Sequence, residues 1–364
     1  MKIIAVEATP LKTFSVFVRV FTDDNLYGLG ECYPIRSEWA TRWLADFVNH
    51  ALAPLLIGEN PWDIDKLWHK MYYATTPRHG DKGVQLTGIS GVDIALWDLL
   101  GKSIGLPVCQ LLGGCFHKEI LMYASVGGGD AMTPDEMVRA LEPFIDNGFT
   151  AVKIRMHWGT HRRDIDPEKD FQMFYAVRKF LGEDFPLSFD ANNGYSVTTA
   201  IQQGKRFEEW GLYHFEEPVA HYDYNGLARV AEALDVPVSA GEQEYTRWQF
   251  RDLIERGRVD IIQPDILKCG GISEIRRIMT LADVYNKHFV PHQNQATVGL
   301  AANLHTLASF PQTLRPQEFL GWQPELDALF YEPLIFKNGY FCVPLKPGLG
   351  LELDEENLQK LALG

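Results

Sequence analysis

The feature that most constrains the fold is a repeated alternation of strand and helix in the second part of the chain. Eight short apolar, β-forming segments begin near positions 120, 151, 186, 213, 237, 260, 288 and 316, and amphipathic helical stretches separate them. Their starts lie 23 to 35 residues apart, close to the roughly 30 residues that a strand and its crossover helix occupy. Eight such units close a parallel (β/α)8 barrel of the TIM type. We therefore predict an α/β fold with a catalytic barrel over residues 120–325.

The remaining sequence predicts a smaller α+β domain. Residues 15–21 (SVFVRVF) and 26–32 flank a turn cluster at 22–25 and indicate a β-hairpin. Residues 38–57 and 89–104 carry apolar residues at helical spacing. Strand-like sequence returns after residue 325, with Asn338-Gly339 as a hairpin turn. We predict a capping domain formed by residues 1–119 and completed by the C-terminal segment 326–364.

Composition excludes several classes of function. The chain has 34 Lys and Arg against 48 Asp and Glu, a formal net charge of −14, which argues against nucleic-acid or anionic-membrane binding. Glu7 interrupts the only N-terminal apolar stretch, and no apolar run approaches 18 residues. The five cysteines form no CxxC pair, which argues against a disulfide framework and a structural zinc site and favours a reducing compartment. We expect a cytoplasmic protein.

Polar side chains stand where each predicted barrel strand ends. From position 190 onward they recur every 23 to 27 residues, as the barrel repeat requires. Because all the strands end at one rim, these side chains should converge where TIM-barrel active sites are built. In chain order they are Lys153, Arg155, Asp190, Asn192, Glu216, Glu242, Asp265, His292 and Glu318.

Three of these carboxylates predict a metal site. Asp190, Glu216 and Glu242 follow three consecutive strands, and three carboxylates share a small site only when a cation neutralises them. Oxygen ligands without Cys or His favour Mg²⁺ over zinc.

The other residues predict acid–base chemistry around that ion. Lys153 and Arg155 come from an earlier strand, whereas His292 comes from a later one, with Asp265 placed to orient its imidazole. Such a site suits removal of the proton next to a carboxylate. Loss of that proton forms an enediolate, and this anion needs charge stabilisation by a metal and by hydrogen-bond donors directed at it. His292 is the predicted base, and Glu318 the protonated donor to the substrate carboxylate.

Each of these residues alone has an ordinary structural interpretation, such as a helix N-cap, a solvated loop or a snorkelling lysine. Their joint occurrence at barrel spacing favours function. Arg78 and His79 are candidate substrate contacts from the first domain, with a plain loop as the alternative. Gly28-Leu29-Gly30 lacks the third glycine and the following helix of a dinucleotide site.

Taken together, the motifs resemble the enolase superfamily and, within it, the mandelate racemase-like group of acid-sugar dehydratases, whose sites use a Lys or His base with Mg²⁺. The resemblance spans essentially the whole chain. The motifs that carry it are DIALWD (93–98) with Gly101-Lys102, Lys153-x-Arg155, FDAN (189–192), FEEP (215–218), Gly241-Glu242, QPD (263–265) with Gly270-Gly271, and Pro291-His292.

This resemblance implies the same roles for the metal carboxylates and the His292–Asp265 dyad, with Glu318 as a carboxylate-binding donor. It also implies that Asn192 lies close to metal and substrate. Cap loops at about 10–40 and 72–86 would select the substrate, and the protein would form a homo-oligomer, a dimer or octamer.

One departure bears on the reaction. Where racemases carry Lys-x-Lys, this chain has Arg155, which stays protonated and is a poor base, although Lys153 remains available. We therefore predict dehydration of an aldonic or aldaric acid to a 2-keto-3-deoxy acid. The alternatives are a racemase, epimerase or lactone cycloisomerase using the same enolate intermediate, and a non-catalytic barrel protein.

Overall fold

The computed structural model describes residues 1–77, 80–157, 163–293, 297–312 and 315–363. The N-terminal part is a three-stranded antiparallel sheet, with strands in the order β1-β2-β3, covered by helices. The predicted hairpin is β2 with β3, and both predicted helical regions are helical. The elements are β1 (Ile3–Pro10), β2 (Val16–Thr22), β3 (Tyr27–Cys32), α1 (Glu38–Phe47), a π-helical turn (Val48–Leu52), α2 (Ala53–Leu56), α3 (Ile64–Thr75), α4 (Val84–Ile104) and α5 (Val108–Leu111).

Strand β3 packs closely against helix α4, and this packing explains the Gly28-Leu29-Gly30 motif. A Cβ atom at Gly28 would collide with the carbonyl oxygen of Ala95, and one at Gly30 with that of Gly91. The two glycines therefore allow the strand and the helix backbones to approach each other.

The second part is the predicted barrel, with parallel neighbours in the order β10-β9-β8-β7-β6-β5-β4 and β11 pairing back onto β4. Its strands are β4 (Glu119–Val126), β5 (Val152–Arg155), β6 (Leu187–Asp190), β7 (Leu212–Glu216), β8 (Val238–Ala240), β9 (Ile261–Ile262), β10 (His288–Phe289) and β11 (Gln317–Phe319). Its helices are a short 3₁₀ turn (Gly129–Ala131), α6 (Pro134–Asp146), α7 (Pro167–Leu181), α8 (Val197–Glu208), α9 (Tyr224–Ala233), α10 (Thr246–Asp252) with a π-helical turn (Leu253–Gly257), α11 (Gly271–Val284) and α12 (Val298–Ala308).

The C-terminal segment contacts both parts of the molecule. Its strand β13 pairs antiparallel with the start of barrel strand β4. It also reaches the capping domain, where the Leu349 N–H donates to Asp98 Oδ1 at 2.7 Å and Arg19 pairs with Glu355 at 2.8 Å. Its elements are α13 (Pro324–Asp327), β12 (Phe336–Lys337), β13 (Tyr340–Cys342) and α14 (Glu355–Leu361).

The cysteines differ from expectation in one respect. Cys109 and Cys115 form a disulfide with their Cα atoms 5.4 Å apart, a pairing that the argument against a disulfide framework did not anticipate. Gly113 and Gly114, both with positive φ, turn the chain back after α5 and bring Cys115 towards Cys109. Within the described ranges, no helix has both the length and the apolar character needed to cross a membrane.

Candidate active site

The structure brings the predicted polar residues together at the carboxyl ends of the strands. Strand register places Arg155 beside Asp190 and Asp190 beside Glu216. The side chains are deeply buried: Lys153, Asp190, Glu216, Asp265 and Glu318 are each about 1% exposed. Charges buried this far from water must compensate one another or a bound ion.

Lys153 is the cation at the centre of this cluster. Its Nζ lies 2.8 Å from Glu318 Oε1, contacts Glu216 Oε1 directly and lies 3.9 Å from Asp190 Oδ2. Burial acts to lower the pKa of Lys153, but the surrounding carboxylates outweigh it and raise the pKa well above its ordinary value. The side chain is therefore a fixed positive charge at neutral pH.

Glu216 is held ionised by Lys153 and by two residues that sequence reasoning missed. Gln263 Nε2 donates to Glu216 Oε2 at 2.5 Å, and His214 Nε2 lies 3.4 Å from the same oxygen. Burial favours the neutral acid, but Lys153 and His214 outweigh it and keep the pKa of Glu216 below its usual range. The available signal was positional: His214 stands two residues before Glu216 on one strand face, and Gln263 begins the QPD motif.

Asp190 and Glu242 complete the carboxylate group. Asp190 accepts hydrogen bonds from the Asn192 backbone N–H at 2.7 Å and from Asn192 Nδ2 at 3.0 Å. Burial, together with the charges of Glu216 and Glu242, raises the pKa of Asp190 well above its ordinary value. Glu242 accepts from Gln243 Nε2 at 2.7 Å. A divalent cation would relieve this mutual repulsion.

The donor set fits Mg²⁺. Within the described residues no three His, Cys, Asp or Glu side chains already surround a common point. Glu216 instead contacts Lys153, and Glu242 contacts His292. Even so, burial disfavours the charged form of Asp190 in the absence of a cation, and Asn192 Oδ1 is a buried acceptor with no hydrogen-bond partner in the described part of the chain. Hard oxygen donors of this kind suit a hard cation.

His292 and Asp265 form the predicted dyad. His292 Nδ1 lies 2.7 Å from Asp265 Oδ2, and Asp265 Oδ1 accepts from the Leu267 N–H at 2.8 Å. The other ring nitrogen, Nε2, faces Glu242 Oε2 at 3.1 Å. Burial lowers the pKa of His292, but the Glu242 charge and the Asp265 hydrogen bond outweigh it and raise the pKa to about 9. The imidazole is thus oriented by one carboxylate, Asp265, and directed at another, Glu242.

Glu318 differs from its predicted protonation state. Its Oε2 accepts from the Gln293 N–H at 3.0 Å, while Oε1 faces Lys153. Burial raises its pKa, but Lys153 and His292 outweigh burial and lower it below the ordinary value. The protonated donor that we expected is therefore an ionised acceptor in this state, because the lysine lies so close.

Three further predicted residues lie at the edge of this group or beyond the described ranges. The Arg155 guanidinium packs against the Gly127 backbone, where a Cβ atom would collide with Arg155 Nε. Arg78 and His79 lie outside the described residues.

Two contacts of aromatic side chains near the site were not predicted, one with Lys268 and one with His292. Lys268 Nζ donates to the Glu242 carbonyl oxygen and lies 4.8 Å from the ring centroid of Tyr33 and 5.6 Å from that of Tyr245. Tyr33, from the capping domain, has its ring centroid 6.4 Å from that of His292. The capping domain therefore reaches the dyad directly.

The fold and the site together define a (β/α)8-barrel enzyme with a capping domain and a carboxylate-rich active site. Residues 3–113 match the mandelate racemase/muconate lactonizing enzyme N-terminal domain, and residues 136–357 match the enolase C-terminal domain-like family. The chain therefore belongs to the mandelate racemase/muconate lactonizing enzyme family of the enolase superfamily.

Individual relatives cover nearly the whole chain. The arabinonate dehydratase of Saccharolobus solfataricus is 35% identical, covering 92% of this chain and 87% of that protein. The D-galactarolactone cycloisomerase of Agrobacterium fabrum is 35% identical, covering 96% and 91%. A mandelate racemase/muconate lactonizing protein from Paracoccus denitrificans, solved in complex with magnesium, is 38% identical with a TM-score of 0.94, covering 100% and 98%.

Proposed function

We propose that this protein is a Mg²⁺-dependent acid-sugar dehydratase, a hydro-lyase that converts an aldonate or aldarate into a 2-keto-3-deoxy acid. The observation that carries the proposal is the pairing of two groups at one barrel rim. One group is the carboxylates of Asp190, Glu216 and Glu242; the other is the His292–Asp265 dyad, whose Nε2 lies 3.1 Å from Glu242 Oε2. The similarity to an arabinonate dehydratase and to a magnesium-bound structure supports the same assignment.

In this proposal the three carboxylates hold Mg²⁺, which when bound supplies positive charge to the substrate carboxylate and to the enediolate. His292, in the form with Nε2 unprotonated, removes the proton next to the carboxylate, and Asp265 holds the imidazole and stabilises its protonated form. The same imidazole then returns a proton to the departing β-hydroxyl. Lys153 provides a second fixed charge beside the substrate carboxylate, and Glu318 positions that lysine.

Arg155 favours dehydration over racemisation. A two-base racemase needs a proton acceptor on each face of the substrate, and a guanidinium stays protonated. Dehydration needs one group that acts first as base and then as acid. Cycloisomerisation of a lactone remains the second candidate, because it too proceeds from one abstracted α-proton and one relative carries that name.

The finer assignments belong to the same proposal. Residues 1–119 and 326–364 form the capping domain around a barrel at 120–325, and Asn192, Arg78 and His79 contact the substrate. We also propose a cytoplasmic homo-oligomer. The free thiols of Cys32 and Cys269 are compatible with that compartment, whereas the Cys109–Cys115 disulfide is less usual there.

A panel of aldonates and aldarates tests the proposal. With Mg²⁺ present, at least one acid sugar should yield a keto acid detectable as its semicarbazone, and prior removal of divalent cations with a chelator should abolish the signal. Turnover of no member of the panel, or undiminished turnover by the metal-free protein, would contradict the proposal.

A further inference from the structure

Two fully buried acids of the capping domain contact the first turns of two barrel helices. Glu31, on β3, accepts at Oε2 from Thr297 Oγ1 and from the Gly299 N–H, each at 2.9 Å. Asp93, on α4, accepts at Oδ2 from the Ser273 N–H at 2.9 Å. Both acids are 0% exposed. Each therefore satisfies backbone donors that the first turn of a helix leaves unpaired. We call Glu31 and Asp93 the junction acids.

The helix held by Asp93 follows the dyad aspartate. Helix α11 begins at Gly271, six residues after Asp265. The intervening segment folds onto Asp265, whose carbonyl oxygen accepts from the Cys269 N–H at 2.8 Å. Gly271 adopts φ +78°, and a Cβ atom there would lie 2.5 Å from Asp93 Oδ2. Glycine therefore permits both the turn and the close approach of the acid.

Other side chains of the capping domain hold the same segment. Ser90 Oγ accepts from the Gly270 N–H at 2.9 Å, and Trp68 Nε1 donates to the Gly270 carbonyl oxygen at 2.8 Å. Trp97 Nε1 donates to Ser273 Oγ at 2.9 Å. The backbone that leads from Asp265 into α11 is thus fixed by the capping domain.

The helix held by Glu31 follows the dyad histidine. Within α12, Asn303 donates to the side-chain oxygen of Gln293, the neighbour of His292. The Gln293 N–H in turn donates to Glu318 Oε2 at 3.0 Å. Displacement of α12 would therefore move the backbone beside His292.

Two of the proposed metal carboxylates, by contrast, are held by hydrogen bonds from within the barrel. Asp190 is bonded by Asn192 and Glu216 by Gln263, all barrel residues. The adjoining loops are locked by Asn193 Nδ2, which donates to Glu217 Oε2 at 2.6 Å. The contacts of the two junction acids therefore lie on the dyad side of the site.

We propose that Glu31 and Asp93 are positioning residues for the His292–Asp265 dyad, so that docking of the capping domain sets the base against the metal carboxylates. The proposal uses the dyad assignment of the proposed function. Because misplacement of a reacting group by about 1 Å costs on the order of a hundredfold in rate, loss of a junction acid should lower kcat while leaving substrate binding at the metal largely intact.

The test compares Glu31→Ala and Asp93→Ala with Asp223→Ala. Asp223 also accepts a hydrogen bond at the first turn of a barrel helix, at its Oδ1 from the Gly226 N–H of α9 at 2.8 Å, but this bond lies within the barrel. For each variant we would measure the melting temperature, kcat and KM, and the NMR signals of the His292 ring nitrogens. The NMR spectra are recorded on isotope-labelled protein without substrate, and the His292 signals are assigned as those missing from His292→Asn.

We expect the junction variants to lower kcat about tenfold or more with KM within about threefold and to shift the His292 ring signals. Asp223→Ala should lower only the melting temperature. Glu31→Gln and Asp93→Asn retain an acceptor oxygen and should recover most of kcat. If the alanine variants do not fold, the nearly isosteric Thr297→Val removes one bond to Glu31 and should lower kcat about threefold and shift the same signals.

The proposal would be overturned if the variants of Glu31, Asp93 or Thr297 changed only the melting temperature. Their kcat and their His292 ring signals would then match those of Asp223→Ala. The NMR comparison requires no substrate. Failure to find an acid-sugar substrate would therefore count against the proposed function alone, whereas unshifted His292 signals would count against the junction acids.

Discussion

Among single residues, Lys153 sets the charge balance of the site. It is the buried cation between Glu216 and Glu318, and it lies 5.5 Å from the ring centroid of Tyr123 beneath it. Without Lys153, these two carboxylates and the nearby Asp190 would repel one another in a medium that screens charge poorly. Its place also explains why Glu318 is ionised.

Replacing Lys153 by Met should therefore damage both stability and activity. Breaking a buried pair leaves uncompensated charge, which costs about 3–5 kcal/mol of unfolding free energy, and kcat should fall by about a hundredfold or more. Urea unfolding and steady-state kinetics measure the two effects. Lys346→Met, at a side chain 55% exposed and paired with Glu332, should change stability by less than about 1 kcal/mol. Equal effects of the two substitutions would contradict this role.

Among elements, the ends of strands β6, β7 and β8 place one proposed metal carboxylate each. Parallel pairing fixes their order around the barrel, with Asp190 in register with Glu216 and Glu216 with Ser239. Glu242 follows β8 directly, after Gly241 at φ +138°. Strand register thus places the first two proposed ligands side by side, and the chain after β8 supplies the third.

Neutralising any of these carboxylates should weaken Mg²⁺ binding. Asp190→Asn, Glu216→Gln and Glu242→Gln should each raise the Kd by about tenfold or more, since even outer-shell changes cost that much. Isothermal titration calorimetry on the folded variants measures the effect. Glu209→Gln, at an exposed position after α8, is the matched control. Unchanged affinity in two of the three variants would place the metal elsewhere.

Features of the fold that depend on local sequence were predictable, and features that depend on distant contacts were not. The strand starts and the residues at the strand ends were predictable, because local periodicity and a fixed repeat length determine them. The antiparallel pairing of β13 with β4 and the approach of Tyr33 to His292 were not, because they join residues distant in sequence. The ionised state of Glu318 was missed for a similar reason: it depends on Lys153, which is brought in by another strand.

For the whole molecule, the junction between capping domain and barrel is a source of pH-dependent stability. Burial raises the pKa of Glu31 to about 7 from 4.5 and that of Asp93 to about 7 from 3.8. A carboxyl whose folded pKa is raised contributes stability that is present below its unfolded pKa and is lost as pH rises to the folded value.

The free energy of unfolding should accordingly receive a contribution from these two acids that falls as pH rises from about 4 to about 7. The Glu31→Gln/Asp93→Asn double variant should lack that contribution, and its stability should depend less steeply on pH over this interval. Urea unfolding at closely spaced pH values compares the two proteins, with Asp223→Asn as control. Parallel curves for wild type and double variant would contradict this interpretation.

In the proposed reaction His292 starts a dehydration by removing the α-proton of an acid sugar. Proton NMR of the reaction in D₂O, run for wild type and His292→Asn with the best substrate of the panel, tests it most directly. We predict a 2-keto-3-deoxy acid bearing solvent deuterium at C3 from the wild type, and a rate about 10²–10⁴-fold lower from the variant. Deuterium exchange at the α-carbon without loss of water, or an undiminished rate in His292→Asn, would contradict the account.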